Sequence, residues 1–275
     1  MARAHPPHPT VMRPSGTPCL VCVVVVAAAA GCRLVQRHGP VAPDLADARR
    51  LCNEGLSAAD GDDLVRAEAL LERAVKSCPA DVDARRHYAD VLWRRGQRLE
   101  AVGQVAAALE LSPADPLLCV EAGRMYLELG LLNDAERLAG EAVRLAPRSA
   151  DSWRLHGQVA MARGQFDAAV ADFHRALAIA GDDHDLLADT ARAYLALGRP
   201  RRVLATLALL DEGQGADGLP ADLLALEARA QEALGRPAEA ADAWRRAIAK
   251  GGAPADAAER LAALEAAGAP DALRR

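Results

Sequence analysis

The sequence predicts an all-α fold, a solenoid of about six helix–turn–helix repeats followed by one C-terminal capping helix. Pro79, Pro113 and Pro147 stand 34 residues apart, and Gly181 occupies the next position of the same series. A second series with the same period consists of Gly96, Gly130, Gly164 and Gly198. A fixed period of this length, combined with helical patterning, indicates stacked two-helix units.

Each element of a repeat has a physical reason. The periodic glycine ends the first helix, where a left-handed backbone conformation is needed. The periodic proline cannot continue the second helix and separates it from the next repeat. Small residues let the two helices of a hairpin approach closely, while large residues fill the space to the next hairpin. Six of the eight aromatic residues fall at positions for large side chains: Tyr126, Trp153, Phe166, Phe173, Tyr194 and Trp244.

The spacing and the residue types together resemble the tetratricopeptide repeat family over about residues 48–252. The resemblance implies a superhelical solenoid, which we bound at 47–252, with residues 253–275 forming a capping helix and tail. The interval between repeats five and six is three residues longer, and we expect 211–220 to be a loop. Within the family, the fold serves protein–protein interaction and not catalysis.

The resemblance also implies a partner-binding groove on the inner, concave face, formed by the first helix of each repeat. The residues at the matching positions are Arg86, Trp93, Leu117, Val120, Arg124, Leu127, Arg154, Met161, Arg192 and Arg229. Arginine forks suit the carboxylates of an extended or helical peptide. In a second interpretation, the same arginines pair with aspartates on the same face, namely Asp83, Asp90, Asp151, Asp185 and Asp222.

The N-terminus has the features of an export signal. The uncharged apolar run from Cys19 to Cys32 has 14 residues, which is too short to cross a bilayer as a helix. It follows a basic leader without acids, as in secretory signals, and Met12 is a second possible start. We therefore predict that residues 1–31 are a signal peptide.

The end of this run, Ala29-Ala30-Gly31-Cys32, resembles the bacterial lipobox. The resemblance implies that Cys32 receives the lipid and that residues 32–46 form a tether to the membrane. Arg33 follows the cysteine where many inner-membrane lipoproteins have Asp, which favours the periplasmic side of the outer membrane. Ordinary signal cleavage, with a secreted or periplasmic product, is the alternative.

The remaining chemistry favours a non-catalytic protein whose partner is another protein or a peptide. The net charge of −5 argues against nucleic acid, and no nucleotide-binding or hydrolase motif stands in a suitable context. We expect no metal, no cofactor and no small-molecule substrate, and we interpret the acids at 182–185 as helix caps. An accessory or carrier subunit of an envelope enzyme that handles glycan or peptide is the alternative. A disulfide between Cys52 and Cys78 is left open.

Overall fold

The computed structural model describes residues 43–214 and 218–268, and these residues form thirteen α-helices and no strand. The all-α solenoid predicted from the sequence is confirmed. The helices are α1 (Pro43–Asp60), α2 (Leu64–Ser77), α3 (Val82–Arg94), α4 (Arg98–Leu111), α5 (Pro116–Glu128), α6 (Leu132–Leu145), α7 (Ala150–Ala162), α8 (Phe166–Ala180), α9 (His184–Ala196), α10 (Pro200–Gln214), α11 (Ala221–Ala233), α12 (Pro237–Lys250) and α13 (Ala257–Gly268).

Consecutive helices pair as hairpins, from α1–α2 to α11–α12, and α13 packs on the last hairpin. Within a repeat we call the two members the first helix and the second helix. Each second helix also packs against the first helix of the next repeat. Because one hairpin cannot enclose its own apolar side chains, the core continues from repeat to repeat.

In every described hairpin after α1–α2, the turn contains a glycine with positive φ, whereas the α1–α2 turn has Asp62 in that conformation. At Gly164 the backbone angle φ is +73°, in the left-handed region that glycine adopts without a Cβ penalty. The amide of Gly164 donates to the Met161 carbonyl at 3.0 Å, and the amide of Gln165 donates to the Ala160 carbonyl at 2.8 Å. These two bonds satisfy carbonyls at the end of α7 and reverse the chain into α8.

The start of four first helices is fixed by a capping side chain that recurs every 34 residues. In each case its oxygen accepts a hydrogen bond from a backbone amide of the first turn. Among the acids at 182–185, Asp183 has this role and accepts from the Leu186 amide at 2.9 Å. The four caps are Asp81, Asp115, Ser149 and Asp183.

Glycine in the middle of a first helix allows close packing of the hairpin. A Cβ on Gly157 would lie 2.6 Å from a ring carbon of Phe173, whose side chain is fully buried in α8. Gly123 has the same relation to Leu155 of the next repeat, also at 2.6 Å. A core at this density has no room for even one added methyl group.

Two boundaries differ from the sequence prediction. The helix α1 begins at Pro43, inside the segment predicted as a tether, because proline suits the first helical turn and Ala48 and Leu51 pack into the core. The helix α10 continues to Gln214, so the first four residues of the predicted 211–220 loop are helical. The predicted signal peptide and Cys32 lie outside the described residues. Among the described helices, none has the length and apolar character needed to span a membrane.

Candidate functional site

Two neighbouring cavities lie along the first helices of the N-terminal repeats. One has a volume of about 610 Å³ and lies between α1 and α3, and the other has about 400 Å³ and lies between α3 and α5. Arg86 and His87 line both cavities, which therefore adjoin. We call these two cavities together the N-terminal groove. It lies on the surface where the sequence predicts partner binding.

The first cavity combines thiols with an unpaired cation. Cys52 of α1 and Cys78, which follows α2, are free thiols here, so no disulfide joins them. Burial raises the pKa of the Cys52 thiol, and the carboxylates of Asp81 and Asp83 raise it further. Arg49 also lines this cavity and has no acid within ion-pair distance in the described ranges. The guanidinium of Arg49 is thus available to a carboxylate from outside.

The second cavity has an aromatic wall. The guanidinium of Arg98 stacks over the Trp93 ring at 3.8 Å from its centroid, and Met125 and Val105 supply apolar lining. Burial lowers the pKa of His87, and the charge of Arg86 lowers it further. The imidazole is therefore neutral at pH 7 and offers both a donor and an acceptor nitrogen.

An ion pair joins α3 and α5 across the second cavity. Arg86 donates to Glu121 at 3.1 Å and to Asp83 at 3.4 Å. Burial raises the pKa of Glu121, the Arg86 guanidinium opposes that shift, and the charge of Asp90 adds to it. The charge of Asp115 acts in the same direction, so Glu121 has one cationic partner and two anionic neighbours.

The C-terminal repeats have a denser network at the equivalent place. Asp189 of α9 accepts from Arg154 at 3.0 Å and from Gln158 at 2.8 Å, both on α7. It also accepts from Arg192 at 3.0 Å, and 14% of its side chain is exposed. Asp185 adds a bond to Arg154 at 3.3 Å. These contacts fix α7 to α9.

A further set of ion pairs connects each repeat to the next. Arg124 contacts Asp151 at 2.8 Å, and Arg192 contacts Asp222 at 2.7 Å. The remaining arginine of the predicted groove is also paired, since Arg229 lies 3.4 Å from Asp256. All five predicted arginines are therefore ion-paired in the structure. This agrees with the interpretation that they pair with acids of the same face, although Asp90 is not among their partners. Partner binding by these arginines stays a prediction.

The apolar residues predicted for the groove occupy different environments. Leu117 is 49% exposed, and Trp93, Leu127 and Met161 are partly buried against the core. Val120 is 3% exposed and belongs to the core, so its place on the groove surface was wrong. Arg86 and Arg154 occupy the same repeat position but stay half-buried, because the long arginine side chain carries its charge to the surface. The short side chain of valine cannot reach that far.

Sequence reasoning missed the acids that hold the arginines. Glu121 and Asp189 follow Arg86 and Arg154 by 35 residues, which is one repeat plus one position. That spacing can be read from the sequence. The repeat position that Glu121 and Asp189 share was not among the positions assigned to the groove. The sequence also offered no reason to single out His87, which lines both cavities. Among the described residues, no cluster of three or more His, Cys, Asp or Glu side chains could hold a metal.

Family comparison agrees with the repeat geometry. One tetratricopeptide repeat model matches residues 42–116 and 120–184, just over half of the chain, and a second matches 160–226. The chain belongs to the tetratricopeptide repeat family. Proteins of this family bind other proteins or peptides and generally act as non-catalytic scaffolds. No curated protein sequence matches the chain.

Solved tetratricopeptide structures share the fold at low sequence identity. A repeat protein from Parabacteroides merdae is 19% identical, with a TM-score of 0.62, and the match covers 89% of this chain and 94% of that one. PilW, a type IV pilus biogenesis factor, is 19% identical, with a TM-score of 0.70 and coverages of 79% and 98%. PilF of Pseudomonas aeruginosa is 16% identical, with a TM-score of 0.68 and coverages of 82% and 99%. At these identities the likeness shows the fold alone.

Proposed function

We propose that this tetratricopeptide protein is a lipid-anchored scaffold of the bacterial cell envelope that binds a partner protein or peptide in the N-terminal groove. The observation that carries the proposal is the pair of adjoining cavities between α1, α3 and α5. The partner would help assemble an envelope complex. The anchor would be Cys32, on the periplasmic side of the outer membrane.

The groove offers complementary features to a peptide with carboxylates and apolar side chains. Arg49 supplies an unpaired cation, Trp93 and Met125 supply apolar surface, and neutral His87 supplies hydrogen bonds. In contrast, Arg154 and Arg192 are already bound to Asp189. A partner carboxylate there would have to displace an existing ion pair. We therefore locate the binding site at the N-terminal end of the predicted groove.

An envelope role rests on the lipobox-like sequence at Cys32 and on one structural parallel. PilW, which has the same fold, is a type IV pilus biogenesis factor. A scaffold of an envelope assembly is the function that agrees with both. The alternative, an accessory subunit that handles glycan, has less support, because, among the described residues, Trp93 is the sole Trp, Tyr or Phe side chain that lines the two cavities.

The binding site is tested by site-specific photo-crosslinking in membranes. A photoreactive residue replaces Asp90, an exposed residue that lines the second cavity. We expect one crosslinked partner, lost on Arg49→Glu and on Trp93→Ala. The matched control is Arg73→Glu, an exposed arginine of α2 outside the groove. Equal crosslinking in the wild type and both groove variants would contradict the site.

The anchor is tested separately by metabolic labelling with radioactive palmitate. We expect label in the wild-type protein and none in Cys32→Ser. Label that persists in the variant would exclude Cys32 as the acceptor. An unlabelled wild-type protein in the soluble periplasmic fraction would support ordinary secretion instead.

A further inference from the structure

A third cavity lies away from the N-terminal groove, among α8, α9 and α10. Its volume is about 480 Å³, within the usual range of ligand sites. The walls are the second helices of repeats four and five, whereas the N-terminal groove is formed mainly by first helices. We call this cavity the second-helix groove.

The repeat register explains why this cavity exists. In the hairpin α7–α8 the corresponding space is filled by a connected cluster. Asp172 accepts from His156 at 2.6 Å and from Arg175 at 2.7 Å, and Arg175 stacks over Trp153 at 4.7 Å. Buried Asp172, 3% exposed, thereby has two partners.

At the positions 34 residues later, each member of that cluster is replaced by a shorter or uncharged residue. Trp153 corresponds to a leucine and Arg175 to another leucine, while His156 and Asp172 both correspond to threonines. The replacements leave the space among α8, α9 and α10 open. The four residues that line it at these positions are Leu187, Thr190, Thr206 and Leu209.

The walls have the periodicity of a helix-binding groove. On the α8 side, the lining residues after His174 lie three, four and seven positions further along the chain, at Leu177, Ala178 and Gly181. On α10, the residues after Arg202 have the same spacing, at Ala205, Thr206 and Leu209. Each wall is therefore about two helical turns, or about 10 Å, long. The hydroxyls of Thr190 and Thr206 donate to carbonyls of their own helices at 2.7 and 2.9 Å, which leaves a mainly apolar lining. Leu209 is 58% exposed at the opening.

The two ends of the groove carry opposite charges. Arg202 lies near the start of α10, at the end where His174 and Tyr194 are hydrogen-bonded at 2.7 Å. Asp182 lies at the other end, between α8 and α9. Neither Arg202 nor Asp182 forms an ion pair with another residue of the described part of the chain. The groove thus offers a cation and an anion about two turns apart, with apolar surface between them.

We propose that the second-helix groove binds an amphipathic helix of a partner protein. That helix presents a carboxylate to Arg202, a basic side chain to Asp182 about seven residues away, and apolar side chains between them. Helix-in-groove recognition uses this spacing of anchors. The site is independent of the N-terminal groove, so the solenoid holds two partners on different helices.

The test uses a designed fluorescein-labelled helical peptide in which Glu and Lys, seven residues apart, flank leucines on the same face. Fluorescence anisotropy with the full chain should show saturable binding. Arg202→Glu should weaken it at least tenfold, and a peptide in which Lys replaces the Glu should recover binding to that variant. The control Arg201→Glu, an exposed neighbour outside the cavity, should bind like the wild type.

Two further variants refill the groove with the residues of the preceding repeat. Leu187→Trp introduces the counterpart of Trp153, and Leu209→Arg introduces the counterpart of Arg175 at an exposed position that does not threaten folding. Both should abolish peptide binding while circular dichroism stays helical. Absence of peptide binding to the wild type, or equal binding to Leu209→Arg, overturns the proposal. Self-association of the wild type that Leu209→Arg abolishes also overturns it, in favour of a second copy as occupant.

Discussion

Two junctions of the solenoid, repeats two to three and repeats four to five, use nearly the same residues for different purposes. Both have an arginine on the earlier helix and an acid 35 residues later, as Arg86–Glu121 and Arg154–Asp189. They differ at the position four residues after the arginine, which is Asp90 in one and Gln158 in the other. Gln158 donates a hydrogen bond to the acid, whereas Asp90 repels it.

The side chain at this one position distinguishes the cross-linked junction from the open one. At the later junction Asp189 receives three donors and is well covered, so the arginines have a structural role. At the earlier junction Glu121 receives one, and a 400 Å³ cavity remains beside it. An open cavity therefore remains where the network between repeats is incomplete.

The largest expected effect comes from removing the two acids. Asp189→Ala leaves Arg154, Gln158 and Arg192 without their shared acceptor and should lower the free energy of unfolding by about 3 kcal/mol. Glu121→Ala removes one partly exposed ion pair and should cost less than about 1 kcal/mol. Urea unfolding of both variants measures the difference. Equal costs would show that the two junctions are energetically alike.

A smaller effect should follow from converting the open junction into the closed type. In Asp90→Gln the new amide can donate to Glu121, as Gln158 does to Asp189, and a repulsive charge disappears. We expect about 0.5–1 kcal/mol of added stability, measured by urea unfolding. Glu110→Gln, at an exposed position of α4 outside both cavities, serves as a charge-matched control. An Asp90→Gln protein less stable than the wild type would contradict the role given to this position.

The smallest effect is on pH dependence. Because burial raises the folded-state pKa of Glu121 above its ordinary value of 4.5, the folded protein binds more protons than the unfolded chain above that pH. The contribution of Glu121 to the free energy of unfolding therefore falls as pH rises from 4.5 through the folded-state pKa. Asp90→Gln should reduce this slope. Urea midpoints measured between pH 4.5 and 6.5 would reveal no change in slope if Asp90 does not act on Glu121.

The fold could be predicted from the sequence because its determinants are local and periodic. The glycines with positive φ and the residues that cap the first helices recur in register, so the number and order of the helices followed directly. The prediction of helix ends was less accurate where no periodic glycine, proline or capping residue marks them. Pro43 and Gln214 are the two examples, and both extend helices into segments predicted as irregular.

The candidate site could be predicted only in part, because side-chain partners depend on neighbouring repeats. Sequence reasoning found the groove arginines but left their pairing open, since Glu121 and Asp189 were not considered. It placed Val120 on the surface, although a short apolar side chain at that position is covered. The second-helix groove went unnoticed. The sequence did contain a sign of it, since Trp153 is replaced by the smaller Leu187 one repeat later. A smaller side chain indicates a cavity, however, only when the packing around it is known.

The pair Arg154–Asp189 lies 68 residues, or two repeats, after the pair Arg86–Glu121. Two whole repeats could therefore be removed or added between them without a change of register. Excision of residues 116–183 would join α4 to α9 and bring Arg86 to the place that Arg154 holds opposite Asp189. Asp90 would then replace Gln158 beside the acid, so the new seam would be of the open type found at Arg86–Glu121. Growth or contraction of such a molecule by whole repeats is therefore physically permitted, so its length can change without a change in the rules that join one repeat to the next.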